Sequence, residues 1–483
     1  MRVLFAASEV YPLLKTGGLG DVAHSLPDAL VGIGVDVRLA VPGYREIMAQ
    51  AEALRVLGWV HLAGGREARI LEGRHPAISS PLWIVDLPDL FDRSGLPYTD
   101  QNGHSWHDNP ARFIYFCEAC AALALDALEL DWSADVVHAN DWQTGALPAF
   151  LALHASRPRT LFTIHNIAYD CQFDFGTFKA LHLPAHWWSV DHGEFYDRFS
   201  MLKCGLVSSD LITTVSPRYA EEIRQPEFGY GYASILEQQA HKLSGIINGI
   251  DNATWDPQSD PHLVAHYHVG GSIGSAKRAN RDALLRAMGA ADDALAFDGP
   301  LIGSVGRMVY QKGIDLLLDI VPQMVTQSDA RFAIIGSGEP GLEQQLRALT
   351  ADYPGRVFHF IGYSETLAHQ LEAGCDMFAM PSRYEPCGLN QMYSLRYGTP
   401  PIVRDTGGLA DTVVDASPQN LADGTANGFV FADATAESLQ QALLRALELF
   451  REPKQWMKLA KTGMRADFGW RNSAAQYLAL YQQ

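Results

Sequence analysis

The sequence predicts an α/β chain built on two doubly wound, mostly parallel sheets. Short apolar runs rich in β-branched and aromatic residues alternate with longer helical patterns along all 483 residues. That alternation is the signature of strand–helix–strand units. There are more such runs than one sheet comfortably holds. The stretch from Asn248-Gly249-Ile250-Asp251 through Asp256-Pro257 to the Gly-Ser segment near 270 has no periodicity and reads as linker and loop.

In order, the first half offers strands at Arg2–Ala7, Val35–Val41, Leu82–Leu87, Asp135–Asn140, Leu161–His165 and Asp210–Val215. The second half offers Leu301–Gly306, Arg331–Ile335, Val357–Ile361, Asp376–Met380 and Pro401–Arg404, separated by helices such as Ile314–Val325 and Gly341–Thr350. Turn residues bound each run. A helix is expected to begin near Gly388 and stop at Gly398. The domains are expected at 1–250 and 251–465, with a last helix at 466–483 whose apolar stripe needs a partner.

Composition narrows the function. Hydrophobic residues make up 47% and charged residues 19%, so the chain is globular and not disordered. The charge balance, 37 − 55 = −18, argues against nucleic acid or an anionic membrane as partner. No apolar run approaches the ~18 residues that span a bilayer. The opening MRVLFAASEV lacks the long apolar region of a secretory signal. Six scattered cysteines make no disulfide framework, and Cys117-x-x-Cys120 sits in an apolar helical run. These features fit a cytoplasmic protein.

Open α/β sheets bind ligands beyond the carboxyl ends of their strands. The loop there after the first strand is KTGGLGD, Lys15 to Asp21, and after the first strand of the second half it is GRMVYQKG, Gly306 to Gly313. Thr16-Gly17-Gly18-Leu19-Gly20-Asp21 returns as Thr406-Gly407-Gly408-Leu409-Ala410-Asp411, with five of six positions alike. A small-residue turn opening a helix can bring backbone N–H groups to an anion. The plainer use is a tight turn that needs positive φ. Arg307 and Lys312 on one loop fit a pyrophosphate clamp, or else a merely exposed basic loop. Glu385 precedes a helix start, where a carboxylate caps or holds sugar hydroxyls. Asp141 and Trp142 pair a carboxylate with an aromatic face, a combination suited to sugars, or else serve as an N-cap and a packed ring. His165 ends the next strand and should lie near Asp141. His104 and His107 have no metal-like partners, and no metal site is expected.

Together these segments resemble the bacterial glycogen synthase and plant starch synthase family, retaining glucosyltransferases of the GT-B architecture with two facing Rossmann-like domains. The resemblance spans essentially the whole chain. It rests on KTGGLGD at 15–21, HANDWQTG at 138–145, TIHNIAY at 163–169, PEFGYG at 226–231, INGIDNATWDP at 247–257, GRMVYQKGID at 306–315, PSRYEPCGLNQMY at 381–393 and DTGGLADTV at 405–413. It implies ADP-glucose as donor, an α-1,4-glucan as acceptor and no cofactor. It makes 1–250 the acceptor-side domain and 251–465 the nucleotide-sugar domain, with the last helix crossing back to the first. It puts Lys15, Gly18 and Asp21 at the donor, and gives Arg307 and Lys312 the leaving diphosphate. Glu385 with the amides of Cys387, Gly388 and Leu389 would hold the transferred glucose. Asp141, His165 and Asn248 would contact donor sugar or reacting atoms, and Tyr363 would stack on adenine. Trp142, Asn390, Thr406 and Gly407 complete the expected substrate contacts.

Two places depart from the family pattern: Asp170-Cys171 replaces Gln-Gly after Tyr169, and Asn390 stands where threonine is common. Tyr393 stands where many other retaining enzymes carry a second glutamate, as glycogen and starch synthases of this type generally have it, so no two-glutamate site is expected. A front-face mechanism is expected, with hinge closure between the domains; an unchanged radius of gyration on adding ADP would count against closure. Competing readings are another GT-B enzyme using UDP-glucose or a different acceptor, and an inactive glucan-binding protein.

Overall fold

β1 (Arg2–Ala6) is four-fifths buried because its residues Val3 to Ala6 are apolar on both faces, as the centre of a parallel sheet requires. It lies inside a nine-stranded sheet. The computed structural model describes residues 1–483, which fall into two compact units, Met1–Gly249 with Trp470–Gln483 and Ile250–Gly469.

The first unit adds β2 (Asp36–Pro42), β3 (Glu52–Leu62), β4 (Arg66–His75), β5 (Ile78–Asp86), β6 (Val136–Asn140), β7 (Arg159–Ile164), β8 (Gln172–Phe173), β9 (Glu194–Phe195), β10 (Arg198–Ser200), β11 (Leu211–Thr214) and β12 (Leu243–Gly245). The large sheet runs β12-β11-β7-β6-β1-β2-β5-β4-β3, while β8, β10 and β9 form a small separate sheet. β1 pairs in parallel with both β2 and β6. The chain goes one way from β1 to β2 and later the other way to β6, so the crevice at their carboxyl ends is a switch point. Helix Trp470–Tyr481 belongs to this unit and packs on helix Gly18–Gly32. Its Tyr481 hydroxyl meets His138 Nδ1 at 2.7 Å, and His138 Nε2 meets Thr163 Oγ1 at 2.7 Å, so the chain's end is tied to β6 and β7.

The second unit has one six-stranded sheet: β13 (Leu301–Val305), β14 (Arg331–Gly336), β15 (Val357–Ile361), β16 (Met377–Met380), β17 (Pro401–Arg404) and β18 (Phe429–Phe431). All pairings are parallel, in the order β15-β14-β13-β16-β17-β18. Counted from β13 this is 3-2-1-4-5-6, the dinucleotide-fold order, with its switch point between β13 and β16. Side chains alternate between two cores with the strand period of two. Ile302, Phe332, Ile334, Met377 and Ile402 enter one, and Leu301, Ala333, Ile335, Phe378 and Val403 the other.

Every strand expected from the sequence is present within a residue or two, except that β5 starts four residues early, at Ile78. The antiparallel ribbon β3–β4 was not expected. β3 is the sheet edge, leaves Leu54, Val56 and Trp59 exposed, and has register shifts between Glu52/Arg55 and Val56/Gly58. Bulges of that kind break the alternation by which a strand is recognised. Helix Asn390–Arg396 begins two residues after Gly388. Cys117 and Cys120 are buried on helix Asn109–Ala124 and unbridged, as plain packing requires, and burial pushes both thiols up. No helix is long and apolar enough to cross a membrane.

Candidate active site

In the first unit, the loops after β1, β6 and β7 converge at the switch point. Asp141 follows β6 directly and takes φ 57°, ψ −179°, a conformation a non-glycine residue seldom adopts. Its carboxylate accepts from the His165 amide at 2.7 Å and the Asn166 amide at 3.4 Å. Burial raises Asp141 to about 7 against those two bonds, and Glu9 adds repulsion. His165, at the end of β7, meets Asn140 Oδ1 through Nε2 at 2.9 Å. Asn140 Nδ2 donates to Ala6 O, so its Oδ1 accepts and His165 carries its proton on Nε2. Burial lowers His165 to about 3, which keeps the ring neutral. Sequence reasoning placed Asp141 and His165 side by side, and they touch.

An Asp141 raised to about 7 makes a testable prediction. Its charged form is the one that can accept sugar hydroxyls or face positive charge. Activity should therefore rise with pH on a limb centred near 7, and Asp141→Asn should lose both most of the rate and that limb. For stability the sign is opposite: a raised carboxylate costs nothing below the usual value of 3.8 and costs most above about 7. Asp141→Asn should therefore melt higher than the parent at pH 8 and no higher at pH 4. A rate profile unchanged by the substitution would remove Asp141 from the chemistry.

Lys15, Thr16, Gly17 and Gly18 are exposed at the start of helix Gly18–Gly32. Lys15 Nζ pairs with Asp21 at 2.7 Å. Gly17 sits at φ −157°, so positive φ is not what demands glycine there. A Cβ at Gly17 or Gly18 would meet nothing within 4 Å. These glycines keep open space beside the amino end of a 15-residue helix, where anions are favoured. Asn248 is 6% exposed and its buried Oδ1 has no partner.

Glu9 was missed by sequence reasoning. It is 2% exposed and accepts from Thr16 N at 2.5 Å, Thr16 Oγ1 at 2.6 Å, Gly17 N at 3.3 Å and Tyr98 OH at 2.5 Å. It is the peg that shapes the glycine loop. The available signal was an acid set in an apolar run just after the first strand.

In the second unit, Lys312 Nζ pairs with Glu385 Oε2 at 2.6 Å across the β13/β16 switch point. Ser382 Oγ donates to the same oxygen at 2.9 Å. Glu385 is buried, Lys312 half-buried and Arg307 exposed, its guanidinium reaching Gln311 Oε1 at 3.4 Å. A pocket here is lined by Gly306, Arg307, Lys312, Ser382 and Asn390. Gln391 Nε2 holds the Cys387 and Gly388 carbonyls at 3.1 and 3.0 Å. No backbone carbonyl takes the amides of Gly388 and Leu389. Asn390 donates to Val305 O at 2.8 Å, tying the helix start to β13. Tyr363 is 82% exposed, so it is no core aromatic.

Two expectations need correction. Trp142 offers no open ring face: it is 8% exposed, with Phe113 edge-on at 5.0 Å and Tyr98 at 5.8 Å. The second copy of the glycine motif does not repeat the first. Thr406 is fully buried, Gly407 has φ 43°, and Gly408 N donates to the Glu385 and Pro386 carbonyls at 3.1 and 3.2 Å. That turn packs against the Glu385 loop instead of facing a ligand. Tyr393, to which the sequence assigned no role, lies flat on Trp255 at 3.7 Å and packs. The Asp170 departure also has a structural job, since it accepts from Cys171 N, Leu202 N and Tyr232 OH and so pins helix Met201–Ser208.

Comparison with known proteins places the chain in a family. Residues 2–238 match the starch synthase catalytic domain, and residues 291–462 match glycosyl transferases group 1. The chain is 47% identical to the glycogen synthase of Hydrogenovibrio crunogenus, over 100% of this chain and 99% of that one. It is 48% identical to the glycogen synthase of Thioalkalivibrio sulfidiphilus at the same coverage. Among solved structures, the catalytic domain of starch synthase IV from Arabidopsis thaliana, bound to ADP and acarbose, matches with TM-score 0.88 and 31% identity over 100% of this chain and 98% of that one. Sucrose-phosphate synthase from Thermosynechococcus elongatus shares the fold, with TM-score 0.60 and 18% identity over 100% and 98% of the two chains. Two wound units with acid, imidazole and cations at their switch points, and full-length likeness at this level, mean that the chain belongs to the glycogen synthase and starch synthase family of GT-B glycosyltransferases.

Proposed function

We propose that this enzyme transfers glucose from ADP-glucose to the nonreducing end of an α-1,4-glucan with retention of configuration, releasing ADP. The observation that carries the reading is the Lys312–Glu385 pair beside exposed Arg307 at the switch point of a dinucleotide-type sheet. Departure of the diphosphate builds negative charge on the leaving oxygens and positive charge on the anomeric carbon. Fixed cations act where that charge develops. Arg307 and Lys312 take the diphosphate, and Lys15 with the open space at Gly18 takes phosphate oxygens. Glu385 and the Gly388 and Leu389 amides hold the glucose hydroxyls. Asn248 supplies its unpartnered Oδ1 to the donor sugar, and Tyr363 its exposed ring to adenine. Asp141 fixes the His165 backbone, whose carbonyl faces the cationic sugar in a front-face displacement. The starch synthase relative solved with ADP supports the adenine nucleotide.

An acidic chain with six free cysteines and no membrane-spanning helix fits a reducing cytoplasm. Initial rates on a glycogen primer with ADP-glucose and UDP-glucose test the donor. ADP-glucose should be preferred at least about tenfold in kcat/KM, a difference of ~1.4 kcal/mol in transition-state binding. A preference for UDP-glucose would overturn the donor, and glucan binding without ADP release would overturn catalysis.

A further inference from the structure

Asp260, His262 and His369 lie in the second unit, away from the site at the β13/β16 switch point. Each offers one ligand atom, and the three atoms lie within 4.8 Å of one another. Asp260 and His369 are fully buried, and His262 is half-buried. His369 and Asp260 are 109 positions apart and meet at 2.8 Å, Nδ1 to Oδ2. The carboxylate also takes Tyr397 OH at 2.5 Å and the His262 amide at 2.9 Å. His369 stacks on Trp255 at 3.8 Å, and the two imidazole centroids are 4.6 Å apart. The second observation is an orphan: His369 Nε2 is buried and has no hydrogen-bond partner. A buried imidazole nitrogen without a partner is a defect that a metal or a water would repair.

The geometry points to a divalent transition-metal site made by Asp260, His262 and His369. Two imidazoles and one carboxylate suit zinc-class cations better than magnesium or calcium, which favour all-oxygen sets. Such a set leaves a further position open, and half-buried His262 gives the ion its way in. The ion would bind the segment at 260–262 to helix Glu365–Gly374, reinforcing a long-range connection otherwise made by hydrogen bonds and the His262–His369 ring contact. The motif signal, Asp260-x-His262, was too short to read without the fold that delivers His369.

The test uses the full chain, stripped by a chelator, then titrated with Co²⁺ alone. A visible d–d band should grow and saturate at one equivalent, and Zn²⁺ should abolish it. Zn²⁺ should also raise the melting temperature, since it binds only the folded chain. His262→Ala is the discriminating variant, because its side chain bonds only to Thr366 and its loss leaves the buried Asp260–His369 pair in place. It should weaken Co²⁺ at least about tenfold and cancel the melting shift, with glucosyl transfer unchanged. No saturable band in the parent, or equal binding in His262→Ala, would overturn the site and leave only a hydrogen-bonded pair.

Discussion

Arg307→Ala is expected to lower kcat by about 10³-fold while the melting temperature stays within a degree or two of the parent, because in the proposed reaction it is a donor aimed at the charge of the transition state. The side chain is exposed, and the one contact it makes within the chain, to Gln311, is long. An exposed group so lightly held contributes little to folding. Lys312→Ala should lower the rate as much but should not be equally silent in stability. It strips the cation from Glu385, whose carboxylate is 6% exposed and keeps only the Ser382 hydroxyl. A buried carboxylate left unpaired is costly, although half-exposed Lys312 tempers that cost. The two variants together therefore separate chemistry from packing. Measurement is by ADP release at saturating donor and by thermal melts without it. If Arg307→Ala lost stability and rate in step, the residue would be structural and the diphosphate assignment would fail.

Much of this site was legible because open parallel sheets always place ligands at their strand ends. Once β1, β6, β7, β13 and β16 are recognised by their apolar runs, Asp141, His165 and Arg307 follow as the next polar residues, and Lys15 and Glu385 lie further along the loops after β1 and β16. The contact of Asp141 with the His165 amide could be anticipated from β6 and β7 alone, since they are adjacent and in register. What could not be read is whatever depends on a partner distant in sequence. Glu9 takes its role from Thr16 and from Tyr98, and its apolar setting after β1 does not by itself name those partners. Trp142 looked like a sugar platform because its neighbour is Asp141. Its ring direction was set instead by Phe113 on another helix. The ribbon β3–β4 escaped because bulges scrambled its alternation, and Tyr393 was silent until Trp255 was seen against it.

The two glycine turns make the sharpest case, since nearly identical sequences carry opposite physics. A methyl group on Gly407 would sit 1.9 Å from the Glu385 carbonyl oxygen, in a backbone at φ 43° that a side chain rarely adopts. Gly407→Ala must therefore push the Glu385 loop aside, and it is expected to cost at least about 3 kcal/mol of stability. Its lost activity would be a by-product of lost structure. A methyl group on Gly18 meets no protein atom within 4 Å, and the helix it opens tolerates alanine well. Gly18→Ala should fold and melt like the parent or slightly above it. If that space belongs to a phosphate, the same methyl takes the place of ligand oxygens. The donor KM should then rise at least about tenfold, with kcat/KM falling by about 10²-fold, ~2.7 kcal/mol of transition-state binding. Thermal melts and donor saturation curves on the two proteins decide it. A Gly18→Ala enzyme with the parent's donor KM would show that the opening at the head of this helix holds no part of the nucleotide sugar.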